Sequence, residues 1–251
     1  MSSSAVETTQ AAAPAVKRIN LEITSDSICP FCYVGFNRIK AAIAQAEAES
    51  LPLSFSLRFA PFLLDPTLPP SPGENKRERY ARRFGGAEKV RAMEAAMVER
   101  GRGCGIEFSY GGNVSQTTDS HRIIEKAREV KGERGQLDLV ARLFKTYFEE
   151  EGDPGSHELL ARDAETVGIM SKADALAFLA SDELKDEVAA GIRKAQMRGI
   201  SGVPFTIINE LSLPSLRALG FLSPKLAISG AQEEETFLEV FRKLAKGELE
   251  A

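Results

Sequence analysis

Cys29 and Cys32 lie three positions apart in the run Cys29-Pro30-Phe31-Cys32. Two sulfurs at that spacing, just past an alternating apolar segment and at the head of a helical pattern, suit thiol–disulfide exchange. A thiol attacks a disulfide only as the thiolate. The N-terminal amides and macrodipole of a helix favour that anion. Cys29 is expected at the first turn, exposed and charged. Pro30 fits beside it because its missing N–H would have no intrahelical partner anyway. Cys32, one turn further in, faces the same side and is expected to be more buried. This order makes Cys29 the nucleophile and Cys32 the thiol that resolves the mixed disulfide. Phe31 carries no charge, so the helix end must supply most of the stabilisation. Asp26, just upstream, opposes it if ionised nearby.

Val203-Pro204 is read as the second half of the site. A cis X-Pro bond makes a tight turn before a strand. A cis Pro204 would lie against the Cys29 sulfur without N–H or charge, leaving the Val203 backbone to pair with an extended substrate peptide. Ser229 and Gly230 are expected to begin the last helix. The functional alternative is that Gly230, Ala231 and Gln232 offer amides to a carboxylate of the substrate or of glutathione. Zinc is a poor fit to the cysteines. It wants four ligands, and only Cys104, His121 and His157 remain, with no paired spacing. Cys104, between glycines, reads as a small packed hydrophobe. His121 divides between packing at a domain boundary and a place beside the thiols among the substrate-binding residues. Lys76-Arg77-Glu78-Arg79 with Arg82-Arg83 reads as a solvated helix face.

The elements that must hold these groups follow from periodicity. Ile19, Leu21 and Ile23 alternate with polar residues, as do Leu53, Phe55, Leu57 and Phe59, which predicts two strands. Tyr33 to Glu49 between them is helical, with Phe36, Ile39 and Ile43 on one face. Strand, helix, strand with short links makes a right-handed parallel crossover. Five prolines between Pro61 and Gly73 mark a loop. The pattern beyond is helical, so 66–182 is expected to be an all-helical insertion, with Ser171 and Asp174 capping one of its helices. Residues 183–251 return to helix, two short strands at 205–208 and 227–228, and a last amphipathic helix. The whole is α/β: a thioredoxin-like fold, residues 18–65 with 183–251, split by the inserted helices.

The chain has 251 residues, 43% hydrophobic and 27% charged, with a formal charge of −4. That balance gives no phosphate-binding footprint, so nucleic acid is not expected as a partner. No apolar run is long enough to span a membrane. Residues 1–17 are read as a disordered tail on a cytoplasmic protein. Three cysteines are too few for a disulfide-stapled fold.

Taken together, several segments resemble the DsbA-like thioredoxin superfamily, specifically its FrnE-like branch. They are Asp26 to Gly35, Thr118-Asp119-Ser120-His121-Arg122, Leu143 to Phe148, Gly199 to Phe205 and Ile228 to Gln232. The ordered match runs over roughly residues 18–248. It implies dithiol–disulfide oxidoreductase activity, with Cys29 as nucleophile, Cys32 as resolving thiol and Pro204 as the cis-proline. Pro30, Phe31, Val203, Gly230, Ala231, Gln232 and His121 fall at substrate-binding positions. Protein or small-molecule disulfides and thiols are the implied partners. Glutathione is a redox partner or co-substrate rather than a tightly bound cofactor, and no metal is implied. Kappa-class glutathione transferases and 2-hydroxychromene-2-carboxylate isomerases are similar across the same segments but carry serine where this chain has Cys29. A glutathione-dependent transferase or isomerase and a chaperone-like binding protein are therefore the rival readings. The branch usually carries tryptophan where this chain has Phe31. Leu211 to Pro224, rich in leucine, is longer than the usual hairpin link and is expected to be a substrate-facing or dimer-facing flap, a homodimer being one outcome.

Overall fold

Alternating apolar residues build two parallel strands, β1 (Lys17–Ser25) and β2 (Leu53–Pro61), joined through helix α1 (Pro30–Ala48). This is a computed structural model, and it describes residues 15–210 and 226–249. The insertion follows as β3 (Glu74–Asn75), α2 (Lys76–Phe84), α3 (Ala87–Arg102), β4 (Asn113–Val114), α4 (Thr118–Phe148), α5 (His157–Thr166) and α6 (Lys172–Ala180). Helix α7 (Lys185–Met197), strands β5 (Phe205–Glu210) and β6 (Leu226–Ser229), and helix α8 (Glu234–Lys246) complete the chain. The sheet order is β2-β1-β5-β6, with β5 antiparallel to both β1 and β6.

The core forms where strand side chains meet α1 and α8. Phe36 of α1 meets Phe59 of β2 edge-on at 5.0 Å, and Phe55 meets Phe241 of α8 at 4.6 Å. Helix α4 closes the open edge of β2, using side chains where a neighbouring strand would use its backbone. Leu57 N donates to Glu133 (2.8 Å) and Phe59 N donates to Gln136 (2.9 Å), while Gln136 returns a bond to the Phe59 carbonyl (3.3 Å). An edge strand with satisfied backbone groups offers no template for another chain.

The all-helical insertion needs correction: β3 and β4 pair antiparallel within it, Glu74 opposite Val114 and Asn75 opposite Asn113. Two-residue strands are too short to leave an alternating pattern. Helix α4 is two helices joined at Lys131 and Gly132, the latter at φ 65° and ψ −154°. Glycine reaches that backbone region without steric cost. Ser171 caps α6 as expected, its hydroxyl accepting from Asp174 N. The last helix starts later than predicted. Ser229 ends β6, Gly230 turns at φ 78°, and α8 begins at Glu234.

Two expectations fall on residues outside the described ones. One is the tail over 1–14, although Lys17, assigned to that tail, opens β1. The other is the 211–224 flap. Strand β5 runs from Phe205, opposite Thr24 near the cysteines, to Glu210, opposite Ile19 at the far end of the sheet. A six-residue strand spans roughly 17 Å, so Glu210 lies at the end of the sheet remote from Cys29.

Candidate active site: a dithiol at a helix mouth

Cys29 is the N-cap of α1, at φ −91° and ψ 111°, with Pro30 opening the first turn. The turn into the helix is fixed by Cys29 N donating to the Asp26 carbonyl (3.0 Å), and Cys32 N donates to the Cys29 carbonyl (3.0 Å). No acidic residue sits in the first turn of α1 and no side-chain bond caps it. The first-turn N–H groups of α1 therefore have no side-chain partner, and the Cys29 sulfur stands at their end of the helix.

The sulfur is less open than its position in the sequence implies. Cys29 is 3% exposed rather than surface-lying, because the Val203 loop covers it. Its Sγ donates to the Val203 carbonyl at 3.5 Å, and the Val203–Pro204 peptide is cis. Helix α1 permits this approach through Gly35. A Cβ there would come within 3.1 Å of Pro204 Cγ and 3.5 Å of Ala231. Glycine at 35 is thus a positioning residue whose role the sequence reading missed.

Cys32 is completely buried one turn inside α1. Burial pushes its thiol well above the ordinary value, and the hydrogen bond and charge of the neighbouring Cys29 push it further up. Ser25 and the Asp26 backbone pull weakly the other way. The inner sulfur therefore holds its proton while the outer one sits at the helix mouth, which is the asymmetry a nucleophile and a resolving thiol require.

Asp26 is also buried, and its carboxylate has its own partners. It accepts from Leu64 N (2.7 Å) and Ile28 N (3.4 Å), with His121 Nε2 3.6 Å away. His121 bonds the Phe62 carbonyl at 2.9 Å and is buried, so it packs α4 against the start of the site rather than reaching substrate. The Gly230–Gln232 segment is not a helix N-terminus. Gly230 N donates to the Pro204 carbonyl (2.9 Å) and Gln232 N to the Gly230 carbonyl (3.0 Å), while Arg38 takes the Ala231 carbonyl (2.8 Å). The segment braces the proline loop, and two of its three amides are committed.

An apolar cleft of about 380 Å³ opens beside Cys29. Ile28, Cys29, Pro30 and Phe31 form one side, Gly202 and Val203 another, and the α2–α3 pair the facing wall. Arg77, Glu78, Arg82 and Arg83 of the basic run on α2 are exposed as expected, whereas Lys76 is buried and Arg79 half-buried. Arg79 and Arg83 line the cleft and both pair with Asp65, at 2.7 and 3.0 Å. Burial pushes the Asp65 carboxyl up. Bonds from Thr67 and Arg79 and the charge of Arg83 outweigh this and hold it below the usual carboxylate value. Lys76 is 1% exposed, its Nζ donating to the Tyr147 carbonyl (3.2 Å) and lying 3.9 Å from the Tyr147 ring centre. Burial lowers its ammonium to about 8 against the pull of Glu151 and Glu94. The Tyr110 hydroxyl, on another cleft-lining residue, has no hydrogen-bond partner among the described residues.

The strand–helix–strand, the dithiol at the helix mouth and the proline loop against it coincide with a known family model. The DSBA-like thioredoxin domain matches residues 20–242. The chain belongs to this family. Among solved structures, a probable DsbA oxidoreductase from Streptomyces coelicolor is 26% identical, with 93% of this chain and 92% of that one covered and a TM-score of 0.74. A 2-hydroxychromene-2-carboxylate isomerase (TM-score 0.60, 15% identical, 91% and 97% covered) shares the fold. So does the cytosolic disulfide reductase DsbM of Pseudomonas aeruginosa with GSH (TM-score 0.55, 13% identical, 90% and 99% covered). An isomerase and a reductase on one scaffold leave the fold silent about chemistry, which must be argued from the site. Among the described residues no group of histidine, cysteine and acidic side chains is placed to hold a metal. No helix there is long and apolar enough to cross a membrane.

Proposed function

We propose that this DSBA-family protein is a dithiol–disulfide oxidoreductase of the FrnE-like branch, acting in the cytoplasm on protein or small-molecule disulfides. The Cys29 thiolate attacks a substrate disulfide, forming the Cys29–substrate bond and releasing one substrate thiolate. The Cys32 thiol gives its proton to the released substrate thiolate and attacks Cys29 Sγ, which forms Cys29–Cys32 and releases the second substrate sulfur as thiolate. The substrate gains two electrons and the pair loses two. A thiol such as glutathione returns them as redox partner, with no tightly bound cofactor. The single observation behind this reading is the asymmetry of the pair: Cys29 stands at the N-cap position of α1 with its sulfur on the Val203 carbonyl, and Cys32 is buried one turn inside with its thiol pushed up. Val203 stands ahead of β5, outside the strand ladder, so its backbone can receive an extended peptide. Cysteine rather than serine at position 29 favours exchange over the isomerase reading.

Cys32→Ser tests the proposal. It should halt at the first step and accumulate mixed disulfides on Cys29, seen as mass adducts that a reductant removes. A Cys32→Ser protein that turns over at the wild-type rate would instead indicate glutathione-dependent transfer or isomerisation, which needs one activated group only.

A further inference from the structure

Among the described residues, two buried side-chain polar atoms lack a hydrogen-bond partner, Asn37 Oδ1 and the Tyr110 hydroxyl. Of these two residues, Tyr110 lines the cleft beside Cys29. A buried hydroxyl without a partner is costly, because it has given up water and gained nothing. The Tyr110 ring is fixed from the α1 side. Phe108 stacks on it at 6.1 Å and meets Tyr33, the residue after Cys32, edge-on at 6.2 Å. Burial pushes the hydroxyl well above its ordinary value, with the charges of Tyr80 and Glu94 adding to the shift, so it keeps its proton and serves as a donor.

Disulfide exchange creates an acceptor in this place. Attack on a disulfide runs with three sulfurs in line, so the leaving sulfur departs on the side away from the nucleophile. With the Val203 loop over Cys29 and α1 behind it, the cleft is the side that receives that sulfur. The charge forming on it meets a mostly apolar lining, Val90, Met93 and Met97 among it, where an unpartnered anion is expensive. Arg79 and Arg83 of the same lining hold Asp65, and the Tyr80 hydroxyl bonds that of Tyr147 at 3.1 Å.

Resting on the exchange reading above, we propose that Tyr110 is a further catalytic residue, its hydroxyl donating a hydrogen bond to the leaving sulfur and so fitting the site to disulfides of alkyl thiols. Cys29 forms the bond to the near substrate sulfur. The S–S bond breaks, and its electron pair passes to the far sulfur, which becomes the thiolate bonded by Tyr110. Tyr110 keeps its own proton; the thiolate receives one from the Cys32 thiol as that sulfur attacks Cys29. The bond exists only once charge has developed, so it lowers the barrier rather than tightening substrate binding. An acidic thiol leaves readily without such help, whereas an alkyl thiolate keeps its charge on sulfur and leaves slowly.

Full-length reduced Cys32→Ser protein, with and without Tyr110→Phe, isolates the first step. The probes are bis(2-hydroxyethyl) disulfide, which releases an alkyl thiolate, and bis(2-pyridyl) disulfide, whose leaving group delocalises its charge onto the ring. Mixed-disulfide formation on Cys29 is followed by acid quench and intact mass. High salt screens the exposed Arg100, whose guanidinium lies 5.3 Å from the Phe31 ring centre. Tyr110→Phe should slow the hydroxyethyl probe by about tenfold or more, the size of one hydrogen bond to a charged group. The pyridyl probe should react at close to the unsubstituted rate. A packing defect would slow both alike. Slowing that is equal for the two probes, confined to the pyridyl probe or absent would overturn the role of Tyr110 while leaving exchange standing. No adduct on Cys29 from either probe in either protein would overturn the exchange reading as well.

Discussion

The mouth of α1 and the α2–α3 wall face the same cleft, yet they are built differently. The backbone of the mouth is local: Cys29, Pro30 and Cys32 are held by one helix start and by backbone bonds within four residues. The wall is assembled from distant parts, with Asp65 from the proline-rich loop binding arginines of α2 and Lys76 reaching the Tyr147 carbonyl of α4. The proposed chemistry is concentrated in the local part. The buried ion pairs and the buried lysine lie in the assembled part.

Variants can separate the two. Cys29→Ser should reduce disulfide exchange to background while leaving the thermal unfolding midpoint close to wild type. A large fall in the midpoint would mean that the mouth is also structural. The converse case is Arg122 of α4, which is fully buried and donates to the Phe178, Leu179, Ser181 and Glu183 carbonyls at the end of α6, and to Asp119. Arg122→Ala orphans those carbonyls and should cost about 3 kcal/mol or more in denaturant unfolding, with residual exchange in the folded fraction.

Lys76 sharpens the contrast through pH. Its folded value, about 8, lies below its ordinary 10.5. Between those values the unfolded chain binds a proton that the folded one has lost, so stability rises with pH across that window, by up to about 3 kcal/mol. Below about pH 8 the cost of burying the charge is borne in full. Urea unfolding at pH 8 and 9.5 should show this rise in the wild type and a smaller one in Lys76→Met. Equal slopes would mean that Lys76 is solvated in solution.

Gly35→Ala places a methyl group 3.1 Å from Pro204 Cγ. The gain in helix propensity, up to about 1 kcal/mol, offsets the crowding, so the unfolding midpoint should move little. The proline loop must shift, and exchange should slow several-fold. An unaltered rate would show that the loop yields freely. The smallest effect is expected for Tyr110→Phe. Removing an unpartnered buried hydroxyl should leave the midpoint unchanged or raise it by the equivalent of about 1 kcal/mol. A clear loss would reveal a partner for that hydroxyl.

How much could be read beforehand follows the same division. The dithiol, its helix, the two alternating strands and the turn at Pro204 were legible because each is encoded within a few neighbouring residues. Within the basic run on α2, Lys76 and Arg79 were misread because periodicity shows that residues share a face but not what that face meets. Lys76 has an apolar stem and one charge, and only the Tyr147 ring and carbonyl make its burial tolerable. Gly230 to Gln232 was misread because a glycine after a short strand resembles a helix start, whereas here it turns the chain back to the Pro204 carbonyl.

From its order of residues alone the chain carried the identity of the two sulfurs, their spacing of one helical turn and the α/β arrangement that presents them, because hydrophobic period and helix-start chemistry are short-range. Folding in three dimensions decided the rest: how deeply Cys29 is covered, which glycine admits the proline loop, and which side chains wall the cleft. Those depend on contacts between residues tens to hundreds of positions apart, Cys29 with Val203 and Lys76 with Tyr147 among them.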